Sequence, residues 1–271
     1  MDSGRIDKLI EELSAKIREH PKVAIAFSGG VDSSVVAKMA KMECGTSLAV
    51  TIDSTLLPEG ELENARNMAR EIGIEHTILN ADALANKEVA ANGPDRCYFC
   101  KKMLFSKIKE SVSKDAVILD GSNFSERSER RPGMLAAKEL GIISPLADAE
   151  IRKKDAREIA RSLGLSNWSK PSMACLASRI PYGTRLSRER IQRVDAAEKM
   201  LRSLGFSCVR IREHDTLARI EIDAAKFPLA LEKKKQIIAG LRELGYSYVT
   251  LDLEGYTSGS MDRQLRAEKR K

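Results

Sequence analysis

Ser28-Gly29-Gly30-Val31-Asp32-Ser33-Ser34 is the stretch whose reading decides the fold. The apolar run Val23-Ala24-Ile25-Ala26-Phe27 precedes it and reads as a buried strand. Val35-Val36-Ala37-Lys38-Met39-Ala40 follows and reads as the start of a helix. A glycine-rich turn between strand and helix lets backbone N–H groups approach an anion closely. The helix N-terminus adds uncapped N–H groups and the positive end of its dipole. Ser28, Ser33 and Ser34 add hydroxyl donors, and Asp32 is suited to holding magnesium through water. The stretch therefore reads as a phosphate cradle. No Gly-Lys-Ser/Thr follows at the spacing of the common nucleotide loop, and Gly29 and Gly30 are adjacent, unlike the dinucleotide fingerprint.

Outward from the loop, apolar strands alternate with helices. Residues 3–19 form an amphipathic helix pattern with Ile6, Leu9, Ile10, Leu13 and Ile17 on one face. Strands are expected at 46–52, 75–79 and 116–119, and helices at 60–72, 98–112, 135–140 and 155–163. The alternation predicts an α/β fold, a parallel sheet with helices on both faces. Ligands of such sheets bind at the carboxyl ends of the strands. The Ser28 loop, Asp53-Ser54 and Gly121-Ser122-Asn123 all fall there and are expected to converge on one nucleotide. Residues 167–183 form a long irregular segment, which in a compact protein points to function. Beyond it, a helix at 190–204, strands at 208–211 and 217–222, a helix at 229–244 and a strand at 248–253 predict a smaller α+β domain. The expected division is 1–166 and 167–271, with a charged, frayed tail from 261 to 271.

Composition narrows the class. With 271 residues, 42% hydrophobic and 31% charged, the chain is globular with an ample core. It has no run suited to crossing a bilayer and no signal-peptide pattern, so a cytoplasmic protein without a membrane partner is expected. A net charge of +7 suits an anionic partner, nucleotide or RNA, although a basic solvated surface explains it equally. The 4% aromatic content supplies few stacking platforms for single strands, so a nucleic-acid partner is not expected.

Five cysteines, an odd number, do not suggest a disulfide scaffold. Cys97-Tyr98-Phe99-Cys100 opens an expected helix, and Cys175 sits in the long irregular segment. Three thiolates without a fourth ligand suit an iron–sulfur cubane with one open iron. A persulfide relay with Cys175 as nucleophile, and a structural pair with Cys175 buried, are the alternatives. Cys44 and Cys208 read as small buried hydrophobes. Arg210 and Arg212 stand two apart on one strand, so they share a face. Two guanidiniums suit a phosphate clamp, with surface salt bridges as the alternative.

The Ser-Gly-Gly-x-Asp-Ser order resembles the pyrophosphate loop of ATP pyrophosphatases. That superfamily splits ATP between its α and β phosphates and adenylates a substrate oxygen. A longer series of segments is similar to the LarE family of ATP-dependent sulfur transferases. It includes Arg96-Cys97-Tyr98-Phe99-Cys100-Lys101-Lys102, Asp120-Gly121-Ser122-Asn123, Ser144-Pro145-Leu146, Lys170-Pro171-Ser172-Met173-Ala174-Cys175, Val209-Arg210-Ile211-Arg212 and Tyr248-Val249-Thr250-Leu251-Asp252-Leu253. The series covers nearly the whole chain in order. The resemblance implies a pyrophosphate-loop domain of the adenine nucleotide alpha hydrolase type, with a C-terminal domain for substrate binding and oligomerisation. It implies thiolation of a carboxylate of pyridinium-3,5-biscarboxylic acid mononucleotide, a step toward the nickel-pincer nucleotide cofactor.

One branch of the family sacrifices a single cysteine sulfur. Another carries three cysteines, and Cys97 and Cys100 favour that branch, whose 4Fe-4S cluster is thought to carry the transferable sulfide. The resemblance thus implies ATP, Mg2+ and a 4Fe-4S cluster as cofactors, with Cys97, Cys100 and Cys175 as metal ligands. Ser28, Gly29, Gly30, Asp32, Ser33, Ser34, Asp53, Ser54 and Gly121 are expected on the nucleotide. Cys175, Lys101 and Asp32 are expected to carry the chemistry, Lys102 being a second candidate to reach the phosphates. Arg179, Glu198, Arg210 and Arg212 are expected on a small phosphorylated dicarboxylate. A sulfide donor of unknown identity and a homo-oligomeric, hexameric assembly complete the picture. An iron–sulfur tRNA thiolase of the same superfamily is the alternative. Such enzymes often have lysine where Val31 stands, and extra cysteine pairs absent from this chain.

Overall fold

The structure, a computed structural model, describes residues 3–128 and 132–257. The expected tail at 261–271 lies outside them. Contacts divide the chain into two compact units, neither continuous in sequence. The first comprises Met1–Ser54, Gly60–Ala83 and Cys97–Met173; the second comprises Thr55–Glu59, Leu84–Arg96 and Ala174–Lys271. They differ from a cut at 166 in taking 167–173 into the first unit and 55–59 and 84–96 into the second.

In chain order the elements are α1 (Ser3–Arg18), β1 (Lys22–Ala26), α2 (Val31–Glu43), β2 (Thr46–Ser54), α3 (Glu61–Ile72) and β3 (Glu75–Ala81). Then come α4 (Lys87–Ala90), α5 (Arg96–Ser111), β4 (Val117–Leu119), α6 (Pro132–Glu139), α7 (Pro145–Asp148) and α8 (Lys153–Ser162). The remainder are α9 (Arg188–Ser203), β5 (Val209–His214), β6 (Leu217–Ile222), α10 (Phe227–Glu232), α11 (Lys234–Glu243) and β7 (Tyr248–Leu251).

The first unit holds a parallel sheet of order β3-β2-β1-β4. Side chains alternate across a strand, so β1 feeds two cores. Val23 and Ile25 pack with Leu13 and Ile17 of α1, Val35 and Val36 of α2, and Ile159 of α8. Ala24 faces the other way, with Val50, Ile118, Phe105 and Ile108 of α5, and Ala137 of α6. Helices therefore cover both faces, as the alternation predicts. β1 is central, so the loop after it lies between the ends of β2 and β4. Gly73, at φ 75°, closes α3 in a left-handed turn as its position suggests.

The second unit carries a three-stranded sheet of order β5-β6-β7, with β5–β6 antiparallel and β6–β7 parallel. Its β5–β6 turn places Asp215 at φ 55°. The single helix expected at 229–244 is two helices, α10 and α11, separated at Lys233. The early segments join this unit by hydrogen bonds. Leu176 N donates to the Leu56 carbonyl, and Asn92 Nδ2 donates to the carbonyls of Pro181 and Thr184, each at 2.9 Å for Asn92.

Candidate active site

α2 begins at Val31, earlier than the sequence suggests, so Asp32, Ser33 and Ser34 form its first turn. Gly30 caps the helix without a side-chain bond, which leaves first-turn N–H groups for an anion. Gly29 has φ +68°, and a Cβ there would stand 2.7 Å from Ala65 Cα of α3. Only glycine meets both conditions. The loop winds around Ser33: its Oγ donates to the Gly30 carbonyl at 3.1 Å and lies 3.0 Å from Ser28 Oγ. Ser28 is exposed, whereas Ser33 and Ser34 are buried. Ser34 turns inward, where its Oγ accepts from Asn167 Nδ2 at 2.9 Å.

The end of β4 closes on this turn. A Cβ at Gly121 would lie 2.7 Å from Ser33 N, so glycine allows the two backbones to touch. Asn123, fully buried, points Nδ2 at Asp32 Oδ2 across 3.4 Å and accepts from Ser125 N through Oδ1. Asp120 is the hub behind it. Its Oδ1 accepts from Ser122 N and Ser144 Oγ, and its Oδ2 from Ser122 Oγ. Lys101 Nζ stands 3.7 Å from Asp120 Oδ2 and over the Phe105 ring, which brings this lysine to the β4 end of the site. Lys102 points elsewhere. It donates to Glu139 at 2.9 Å and to Tyr98 Oη at 2.8 Å, and these bonds hold its ammonium above the usual lysine range.

Asp53 and Ser54, both half-buried, end β2 in register with Asn80 and Ala81. Two residues earlier, Thr51 Oγ1 donates to the Phe27 carbonyl at 2.8 Å and lies 2.8 Å from His76 Nε2. With the hydroxyl hydrogen committed to Phe27, the imidazole hydrogen is assigned to Nε2. Burial first, and Arg66 second, hold His76 below the ordinary imidazole range. The pair ties the residue before Ser28 to β2.

Cys97 and Cys100 occupy the first turn of α5, three apart and hence on one face, with Cys97 exposed and Cys100 half-buried. Cys175 is exposed and stands just before the short 3-10 helix Leu176–Arg179. Its carbonyl accepts from Ser178 N, Ser178 Oγ and Arg179 Nη1. No three His, Cys, Asp or Glu side chains converge on a metal position among the described residues. The donor chemistry of the Cys97–Cys100 pair suits two thiolate ligands of a soft metal group. Cys44, half-buried, has its thiol pushed up by burial.

Arg179 and Glu198 are both fully buried and joined by two bonds of 2.8 and 2.9 Å. Arg212 is buried against Glu221 at 2.7 Å and the Ser178 carbonyl at 2.7 Å. Arg210 is buried over the Tyr256 ring, and burial together with Arg179 lowers its pKa. The four side chains expected on the substrate thus form a buried ionic layer beneath the Cys175 segment, inside the second unit. Sequence reasoning missed Asn167 and the roles of Asp120 and Asn123. Asp120 and Asn123 stand beside Gly121; Asn167 opens the irregular segment 167–183, but nothing local points it at Ser34, which lies 133 residues away.

A parallel sheet whose central strand opens onto this serine–glycine loop and an uncapped helix defines an ATP pyrophosphatase of the pyrophosphate-loop class. Residues 6–107 match the family model described as asparagine synthase. An uncharacterized Synechocystis protein is 40% identical over 96% of this chain and 99% of its own. The pyridinium-3,5-bisthiocarboxylic acid mononucleotide synthase of Lactiplantibacillus plantarum is 39% identical over 93% of each chain. One component of the glutamine-hydrolyzing GMP synthase of Methanoculleus marisnigri is similar more distantly, at 28% identity over 59% of this chain and 57% of its own. The chain belongs to the LarE family, and it is an ATP-dependent enzyme.

Proposed function

We propose that this enzyme adenylates a carboxylate of pyridinium-3,5-biscarboxylic acid mononucleotide and converts it to a thiocarboxylate, a step toward the nickel-pincer nucleotide. The observation that carries the reading is the full-length similarity to the Lactiplantibacillus plantarum synthase. A carboxylate oxygen is a poor leaving group, and adenylation makes it a good one. The oxygen attacks the α-phosphorus of ATP, the α–β bridging bond breaks, and pyrophosphate departs. Ser28, Gly29, Gly30, Ser33 and the α2 N-terminus hold the departing charge. Ser34 supports them from behind. Asp32, oriented by Asn123, holds Mg2+, and Lys101 on Asp120 faces the phosphates. Asp53, Ser54 and Gly121 line the nucleoside side. A hydrosulfide-class nucleophile then attacks the acyl carbon, loses its proton and expels AMP.

Cys97, Cys100 and Cys175 are assigned as ligands of a 4Fe-4S cluster, a group that when bound supplies a site for transferable sulfide. Cys175 thiolate as the sulfur nucleophile is the form this reading takes without a cluster. Arg179, Glu198, Arg210 and Arg212 are assigned to the substrate's phosphate and carboxylates. Direct contact requires the arginines to exchange present partners, such as Glu221 for Arg212, for those of the substrate. In the same reading residues 1–166 and 167–271 act as ATP domain and substrate domain, in a cytoplasmic homo-oligomer reloaded by a separate sulfide donor.

The test is anaerobic purification, with iron and labile-sulfide analysis of the wild type and Cys175→Ala. Iron and sulfide in the wild type, depleted in the variant, are expected. An iron-free wild type after reconstitution contradicts the cluster and leaves Cys175 as the sulfur donor.

A further inference from the structure

Asn167 belongs to the first unit yet to no helix or strand, and it reaches the phosphate loop from 138 residues away in sequence. Its Nδ2 donates to the Gly29 carbonyl at 3.1 Å and to Ser34 Oγ at 2.9 Å. A carbonyl only accepts, so the Gly29 bond fixes which end of the amide is nitrogen. Its Oδ1 is buried and accepts no hydrogen bond from the described residues. A buried acceptor left without a donor is costly. The side chain is kept for its two donor bonds, not for general polarity.

The geometry says what those bonds do. In a planar trans peptide the C=O and the following N–H point in opposite directions. Holding the Gly29 carbonyl on Asn167 turns the Gly30 N–H the other way, toward Ser28 Oγ at 3.3 Å. That is the accessible side of the loop, where Ser28 is exposed and Gly30 half-buried. The second bond fastens the buried hydroxyl of Ser34, in the first turn of α2. One amide therefore sets the peptide plane of the turn and anchors the helix whose N-terminus faces the anion. The segment carrying it is itself stitched down: Arg157 donates to the carbonyls of Trp168 and Lys170, and Lys170 pairs with Glu61 at 2.8 Å.

We propose that Asn167 is a positioning residue for pyrophosphate departure, aligning the Gly30 N–H and the α2 N-terminus without touching ATP. This rests on the reading of residues 28–34 as the phosphate cradle. The experiment compares the wild type, Asn167→Ala, Asn167→Asp and Ser28→Ala for inhibition by pyrophosphate, inhibition by AMP, and ATP turnover. AMP lacks the departing group, so it reports the rest of the nucleotide site. Asn167→Ala is expected to weaken pyrophosphate about tenfold, as the loss of two hydrogen bonds implies, and to lower kcat, while AMP inhibition holds. Asn167→Asp keeps the shape, loses the donors and adds a carboxylate behind the loop; it is expected to weaken pyrophosphate at least as much as the alanine variant, and it carries the test if alanine does not fold. Pyrophosphate inhibition equal to wild type, or AMP weakened in parallel, overturns the role of Asn167. If Ser28→Ala leaves pyrophosphate binding intact, the cradle reading itself fails, and the Asn167 proposal with it.

Discussion

Replacing Gly29 by alanine drives a Cβ to 2.7 Å from a backbone atom of α3 at a left-handed φ. The conformational cost alone is about 1–2 kcal/mol, before the clash. Gly29→Ala is expected to abolish ATP turnover and lower the melting temperature, and wild-type turnover in that variant contradicts the account of the turn. In the second unit, Arg179 and Glu198 pair out of contact with solvent, Arg179 also donating to the Ala174 carbonyl and Glu198 also accepting from Ile211 N. Breaking such a pair from one side costs about 3–5 kcal/mol, because the surviving charge is stranded. Arg179→Met and Glu198→Gln should each lose that much in denaturant unfolding, and a double apolar replacement should lose less than the sum, the buried Ile211 N–H losing its acceptor with Glu198. Additive losses would show that the two residues act separately. Arg210→Ala is expected to raise KM for the mononucleotide and leave KM for ATP unchanged; equal loss of both counts against a substrate role. At this scale Ser28 to Ser34 was legible because a strand, a turn and a helix follow one another locally. The inward turn of Ser34 and the pairing of Arg179 with Glu198 depend on partners distant in sequence, and residue type does not announce them.

Elements were legible where periodicity and stop signals agree. α3 ends at Gly73 and α9 just before Gly205, as their left-handed glycines require. The break between α10 and α11 was not, because Lys233 carries no glycine or proline to mark it. α5 illustrates an element serving two ends: its first turn presents Cys97 and Cys100, while Phe105 and Ile108 bury against the sheet. Phe105→Ala is expected to cost about 3–5 kcal/mol of stability, read by chemical denaturation. β3 carries a pH dependence. Burial and Arg66 keep His76 below the ordinary imidazole range, so the unfolded chain takes up its proton first as pH falls. Its contribution is intact above about pH 6.5 and declines below that value. His214 shifts the same way, through burial first and Arg219 next. His76→Gln should reduce the loss of melting temperature between about pH 7.5 and about pH 5.5, and an unchanged slope contradicts this assignment.

For the molecule as a whole, the sequence pattern predicts a parallel α/β portion followed by a smaller α+β portion, and both sheets are present. The second unit also takes in 55–59 and 84–96. The reason is visible at Asn92, whose left-handed backbone and side-chain amide fasten the carbonyls of 180, 181 and 184. Arg96 adds a bond to the Ala177 carbonyl at 3.1 Å, and the next residue in the chain is Cys97. The segments flanking the cysteines are thus fixed by contacts between parts of the chain far apart in sequence.

Under the proposed function, ATP activates a carboxylate oxygen which sulfur then replaces. Mononucleotide labelled with oxygen-18 in its carboxylates, supplied with ATP and sulfide, tests it directly. Attack on the α-phosphorus followed by cleavage of the acyl C–O bond carries one labelled oxygen into AMP, with unlabelled pyrophosphate and a thiocarboxylate formed in equal amounts. Label in inorganic phosphate with release of ADP, or AMP formed without label, would contradict it.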